Sequence, residues 1–237
     1  MSGDRFAAVQ VLLFDAGDTL IAYRRPLRVF LQDFLMERGI VVPRDGTAQA
    51  LEAVAPRYQR LRGGCRTVED ERMMWEEIAR ALMADVAPDR PDLGPELSRW
   101  FVDNWRLHKV YRDVRPALTG LRRRGYRLGV VSNWEPSLPV LLEQLSLDDY
   151  FEAVVVSSVE GVWKPDPRLF HAAMDRFGVP PSTAASIGDD PARDVDAAVA
   201  AGLHGILLDR FDVHPRAGSV RIKSLQDLLA LFPPRRY

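Results

Sequence analysis

Five short apolar runs, at residues 11–14, 128–132, 154–157, 184–187 and 205–208, constrain this chain more than any other feature. Each is continuous rather than alternating, which suits strands of a parallel sheet covered on both faces. Helix-length segments lie between or after them at 116–124, 136–145, 167–177 and 194–201. Several carry proline near the start, and Gly125, Gly178 and Gly202 stand just past the end. Proline presets the first helical turn and glycine accepts the left-handed stop. Strand and helix in alternation predict an α/β, doubly wound parallel-sheet fold.

From about residue 24 to residue 111 the alternation breaks. The stretches "PLRVFLQDFLMERG", "GTAQALEAVAPRYQRLR", "TVEDERMMWEEIARALMADV" and "PELSRWFVDNWRLH" have helical spacing and almost no strand signal. "RGGCRT" and "APDRPDLGP" separate them, and Thr67 followed by Asp70 has the spacing of a capping box. The expected organisation is an α/β core of residues 1–23 and 112–237, interrupted by an α-helical insertion at 24–111. At 237 residues and 47% hydrophobic composition, the chain is long enough to bury a substantial core in either one large domain or two modest ones.

Charge and cysteine content narrow the function. The 32 basic and 33 acidic side chains balance, so no general field for nucleic acid or an anionic membrane exists, and binding must come from a site. Cys65 is the only cysteine, the opening "MSGDRFAAVQ" lacks the regions of a signal peptide, and no apolar run spans a bilayer. A cytoplasmic protein is the expectation. Trp75, Trp100 and Trp105 fall at helical spacing and read as packing. Trp134 and Trp163 flank the crevice described next. His108, His171, His204 and His214 show no ligand spacing, and Arg24 with Arg25 reads as a solvated pair.

In an open parallel sheet, ligands gather beyond the carboxyl ends of the strands. The first strand here ends in Asp15, the second in Ser132 and Asn133, and the fourth in Asp189 and Asp190, with Asp194 shortly after; Lys164 follows the third. Together these would crowd one crevice with carboxylates. At about 4 Å each like-charged pair costs roughly 4 kcal/mol at an effective dielectric of 20. A divalent cation relieves this, and hard oxygen donors favour Mg²⁺. Asp15 beside such an ion is placed to attack phosphorus, with Lys164 and Ser132 stabilising the transferring group.

"FDAGDTL", "VVSN", "WKPDP" and "IGDDPARD" resemble, in order, the four motifs of the haloacid dehalogenase superfamily of hydrolases. The resemblance covers nearly the whole core and implies a Rossmann-like sheet, with the helical insertion as a mobile cap domain. It implies Asp15 as nucleophile, Ser132 and Asn133 on the phosphoryl group, Lys164 holding charge, and Asp15, the Gly17 carbonyl and Asp189 as Mg²⁺ ligands. Asp190 and Asp194 would ligate or orient the metal shell, Asp194 also suiting a helix N-cap, and Thr19 would brace the first loop. The substrate implied is a small phosphorylated metabolite, hydrolysed through an aspartyl phosphate.

One position departs from the pattern. Phosphatases of this family usually place a second aspartate two residues after the nucleophile, as acid for the leaving alcohol, and here Gly17 stands there. General acid/base catalysis contributes about 10² to 10⁴-fold, roughly 3 to 5 kcal/mol of barrier. Asp18 lies one residue further along, so the spacing favours a lost acid over a transferred one, with Asp18 as the alternative catalytic acid or a turn cap. Two other readings stay open: a metal-independent 2-haloacid dehalogenase, and a degenerate relative that binds a phospho-ligand or a protein. "GDDPARD" supplies an acidic cluster that dehalogenases generally lack. Residues 24–108 contain no lysine, which argues against a phosphonate-cleaving enzyme with a cap lysine.

Overall fold

The computed structural model describes residues 5–43, 45–102, 104–214 and 220–235; the side chain of Trp105, and the packing expected of it, lie outside the described residues. In chain order the elements are β1 (Val11–Phe14), β2 (Ile21–Tyr23), α1 (Leu27–Met36), α2 (Gly46–Arg62), α3 (Val68–Val86), α4 (Gly94–Val102), β3 (His108–Val110), α5 (Val114–Arg123) and β4 (Arg127–Ser132). They continue with α6 (Leu138–Gln144), β5 (Ala153–Val156), α7 (Ser157–Glu160), α8 (Arg168–Phe177), β6 (Ala184–Gly188), α9 (Ala197–Ala200), β7 (His204–Leu208), β8 (Val220–Ile222) and α10 (Leu228–Leu231). Two compact units emerge. Of the described residues, one takes in those up to Ala22, Val110–Trp134 and those from Leu138 onward; the other comprises those of Tyr23–Lys109 and Glu135–Ser137.

The first unit is built on a six-stranded sheet of order β5-β4-β1-β6-β7-β8. Every pairing is parallel, with Leu12 level with Leu128 on one side and Ala185 on the other. All four residues of β1 are buried. Val11, Leu13, Val131 and Val155 pack against Leu169, Phe170, Ala173 and Phe177 of α8 and Ala197 and Ala198 of α9, while α5 packs on β4 with α10 beside it. The sheet is therefore doubly wound, as the continuous apolar runs require. The order runs outward from β1 in both directions, so the crevice beyond β1 lies where the winding reverses.

Each expected strand forms. β2, β3 and β8 escape the pattern because each buries only one of its three residues and so has no apolar run. Helix ends at Gly125, Gly178 and Gly202 do adopt positive φ, at 86°, 63° and 86°. The helix expected at 194–201 is different: Pro191–Asp196 forms a π-helical turn and only Ala197–Ala200 is α-helical. Asp194 is not its N-cap. Asp190 is, and its side chain accepts from the Ala192 and Arg193 amides.

In the second unit α1 to α4 enclose a core of Leu31, Phe34, Leu35, Ile78, Leu82, Met83, Leu97 and Phe101. Trp75 and Trp100 pack against it, Trp75 stacking on Phe101 at 4.8 Å. The Thr67 hydroxyl accepts from the Asp70 amide at 3.1 Å and Asp70 returns the bond, closing the capping box at the start of α3. None of the described helices is long and apolar enough to cross a membrane.

Candidate active site

The strand ends of the first unit border a cavity of about 160 Å³, and every residue singled out by the motifs lines it except Thr19. Asp15 emerges directly from β1, its amide still donating to the Ile187 carbonyl of β6 at 2.9 Å, so the sheet fixes where its carboxylate begins. Ser132 is the last residue of β4, and its hydroxyl donates to Asp15 Oδ1 at 3.0 Å. Lys164 Nζ donates to the same oxygen at 2.7 Å, to the Val131 carbonyl at 2.9 Å and to Asp194 Oδ1. With both donors on one oxygen, rotation of the Asp15 carboxylate is restricted.

Lys164 reaches this position through Asn133. The Asn133 amide donates to the Lys164 carbonyl and accepts from the Lys164 amide, each at 2.8 Å, a two-bond clamp on the backbone of the "WKPDP" stretch. Asn133 thus holds the backbone at Lys164 with one donor and one acceptor of its amide. The Lys164 ammonium is 2% exposed. Burial opposes its charge, but the carboxylates of Asp15 and Asp194 outweigh burial and raise its pKa.

The turn after β6 folds onto itself. Asp194 Oδ2 accepts from the Asp190 amide at 3.0 Å, drawing the carboxylate back over Gly188. A Cβ at position 188 would collide with the Asp194 carboxyl group, so only glycine permits this approach. The π turn supplies the displacement, a device frequent at functional sites. Asp190 is turned away from this arrangement. Its Oδ1 accepts from the amides of Ala192 and Arg193 at 2.9 and 2.8 Å, and its Oδ2 from Arg193 Nε at 2.8 Å.

Asp15, Asp189 and Asp194 each present a carboxylate oxygen within 4.8 Å of the others. Lys164 serves Asp15 and Asp194, and among the described residues no cation pairs with Asp189. Burial pushes the Asp189 pKa up to about 7, helped by Asp15, Asp194 and Asp18. Burial also raises Asp194, against the pull of Lys164. An all-oxygen donor set with one uncompensated carboxylate fits a hard divalent cation.

Gly17 lines the same cavity, and its carbonyl accepts from the Thr19 amide at 2.6 Å. Asp18 takes a left-handed φ of 51°, uncommon for a residue with a side chain, and lies on the cavity wall with Tyr111 Oη 3.4 Å from its Oδ1. The spacing favours a lost acid, and Asp18 nonetheless stands among the residues lining this cavity. Thr19 is fully buried, and its hydroxyl has no hydrogen-bond partner among the described residues. It braces the loop through its backbone, where Arg210 Nη2 donates to its carbonyl at 2.8 Å.

Three participants carry no signal that sequence reasoning used. Arg193 lines the cavity but reads as a spacer in "DDPARD". Tyr111 and Arg210 touch the first loop from far along the chain, the Arg210 guanidinium lying 4.1 Å over the Tyr111 ring. Trp134 lines the cavity, whereas Trp163 is absent from its lining.

The sequence pattern of haloacid dehalogenase-like hydrolases matches residues 9–202. The chain is 30% identical over 213 residues to haloacid dehalogenase-like hydrolase domain-containing protein 3 of Mus musculus, covering 84% of this chain and 82% of that one. It is 31% identical over 225 residues to a phosphoserine phosphatase of Thermus thermophilus, covering 85% and 89%. Among solved structures it is similar to a HAD phosphatase from Thermococcus onnurineus, with a TM-score of 0.69 at 23% identity, covering 97% and 100%. A 2-haloacid dehalogenase from Pseudomonas syringae gives 0.66 at 21% identity, covering 94% and 97%, a likeness of fold. With the family pattern matched across most of its length, the chain belongs to the haloacid dehalogenase-like hydrolases, as a phosphatase-like member.

Proposed function

We propose that the protein hydrolyses small phosphate monoesters in two steps with Asp15 as nucleophile and Mg²⁺ as cofactor. The observation that carries this is the convergence on Asp15: Lys164 and Ser132 hold one of its oxygens, and Asp189 and Asp194 stand beside it within 4.8 Å. An Asp15 oxygen forms a bond to phosphorus as the ester P–O bond breaks. Water then adds to the phosphorus of the acyl phosphate, releasing phosphate and restoring the carboxylate. Ser132 and Lys164 stabilise the equatorial oxygens of the transferring group. Asp15, Asp189 and Asp194 would hold the cation, with the Gly17 carbonyl as a further donor; when bound, it offsets charge on the phosphoryl oxygens.

Asp18 is proposed as the proton donor to the departing alkoxide, and it takes a proton from the attacking water in the second step. Its support is its place on the wall of the same cavity as Asp15. The helical insertion, residues 24–111, is proposed as a cap that excludes water and selects the leaving group, supported by its having a core of its own. A cytoplasmic location accords with the single unpaired cysteine.

The relatives lend this reading its direction, since one of them is named a phosphoserine phosphatase. Phosphate esters and 2-chloro acids assayed side by side, with Mg²⁺ and with chelator, test it. Phosphate release that requires the metal is expected. Chloride release from 2-chloropropionate under chelator, without phosphatase activity, would replace the reading with a dehalogenase.

A further inference from the structure

The cavity has a floor and a rim of unlike character. Lys164 is at the floor, 2% exposed and bonded to Asp15, whereas the Arg193 side chain stands at the rim, 54% exposed. A phosphoryl group attacked by Asp15 must sit at the floor, so a leaving group directed away from Asp15 passes toward the rim that Arg193 helps to line.

Arg193 is also prepared for a ligand. Asp190 Oδ2 receives Nε at 2.8 Å and Nη2 at 2.7 Å, while Oδ1 of the same carboxylate is pinned by two backbone amides of the π turn. The guanidinium is therefore held by a fixed support, and Nη1 has no partner among the described residues. An arginine oriented in this way loses less side-chain freedom on binding an anion than a free surface arginine does. Arg193 also lines the same cavity as Asp15 and Asp194.

Building on the phosphatase reading, we infer that Arg193, braced by Asp190, is a specificity-determining residue that recognises a carboxylate carried by the leaving alcohol close to the ester oxygen. The preferred substrates are short phosphorylated hydroxy acids. The carboxylate gains a charge-assisted hydrogen bond from Nη1, and a neutral alcohol of the same size does not.

Steady-state kinetics with Mg²⁺ on phosphoglycolate and on 2-hydroxyethyl phosphate test this in the wild type, Arg193→Gln and Arg193→Lys. The readout is the ratio of the two kcat/KM values. A charge-assisted hydrogen bond corresponds to about 10- to 100-fold, so Arg193→Gln is expected to lower the ratio by at least about tenfold, mainly through KM for phosphoglycolate. Arg193→Lys, which keeps the charge but not the fork, is expected to recover part of it. Thermal melting of both variants checks that they fold. A ratio unchanged within about twofold, or an equal loss on both substrates, would overturn the assignment while leaving the phosphatase reading intact. A wild type that releases phosphate from neither ester would overturn both.

Discussion

Lys164 and Asp194 form a buried ion pair in which the same ammonium also donates to Asp15 Oδ1 at 2.7 Å, so one cation serves two carboxylates. The arrangement is asymmetric: among the described residues no cation pairs with Asp189, while Lys164 bonds Asp15, Asp194 and the Val131 carbonyl. Replacing it exposes the acids to each other.

Lys164→Met is therefore expected to reduce turnover by about 10² to 10³-fold, the usual consequence of removing one stabilising group from a transferring centre. It should also destabilise the fold by about 3 to 5 kcal/mol, as breaking a buried pair does. Phosphate-release kinetics and denaturant unfolding measure the two effects. Unchanged stability would show that the carboxylates do not depend on this lysine.

Asn133 acts one step further out, through the backbone of Lys164. Asn133→Ala removes two hydrogen bonds, leaves two backbone groups unpaired, and is expected to cost about 1 to 3 kcal/mol of stability. Activity should fall about tenfold or more through kcat, because the lysine loses its fixed position. A rise in KM at constant kcat would instead make Asn133 a direct ligand of substrate.

Asp18 and Gly17 can be separated by leaving-group dependence. If Asp18 supplies the proton, rates for the unmutated protein vary little with the basicity of the leaving alcohol. Asp18→Asn should make that dependence steep, impairing alkyl phosphates by about 10² to 10⁴-fold and nitrophenyl phosphate far less. A Cβ at position 17 would meet the Trp134 ring at 3.4 Å, so a side chain can begin there without a clash at its first atom. Gly17→Asp added to Asp18→Asn should restore part of the alkyl phosphate activity. A steep dependence in the unmutated protein, unaffected by Asp18→Asn, would show that the acid is lost.

Much of this site was legible because its residues sit at the ends of apolar runs, where a parallel sheet collects them. Asp15, Ser132 and Asp189 are positioned by strands whose burial the sequence advertises, and Lys164 is tied to the end of one of them through Asn133. The left-handed backbone at Asp18 was not legible, since nothing in "DAGDTL" announces that residue 18 rather than 17 takes the positive φ. The N-cap expected of Asp194 was not legible for a similar reason. The cap went to Asp190 once the chain closed a π turn instead of an α-helical one, and that turn depends on the missing side chain at Gly188. Arg210 and Tyr111 act across long sequence separations, which no local pattern encodes.

Asp113 offers a test by pH away from the acidic cluster. Its Oδ2 accepts from Arg210 Nη1 at 2.7 Å, the Ser224 hydroxyl at 2.9 Å and the Leu225 amide at 2.8 Å. Burial pushes its pKa up, but these partners outweigh burial and hold it below the usual carboxylate range. A depressed folded pKa contributes stability above the unfolded value of about 3.9, lost as pH falls through the folded pKa. Asp113→Asn is expected to cost about 1.5 to 3 kcal/mol near neutrality. The gap to wild type should narrow as the pH is lowered below about 4. A gap that widens in acid would reverse the assigned direction.

Transfer of the phosphoryl group to Asp15 is the step on which the whole account rests. Acid quenching during turnover of a phosphate ester with Mg²⁺, followed by mass spectrometry of the peptide containing Asp15, reads it directly. The account predicts a gain of one phosphoryl group on that peptide in the wild type and none in Asp15→Asn, which should also lose turnover. Phosphate release by Asp15→Asn at more than about a tenth of the wild-type rate would contradict it, since loss of a nucleophile removes far more than that.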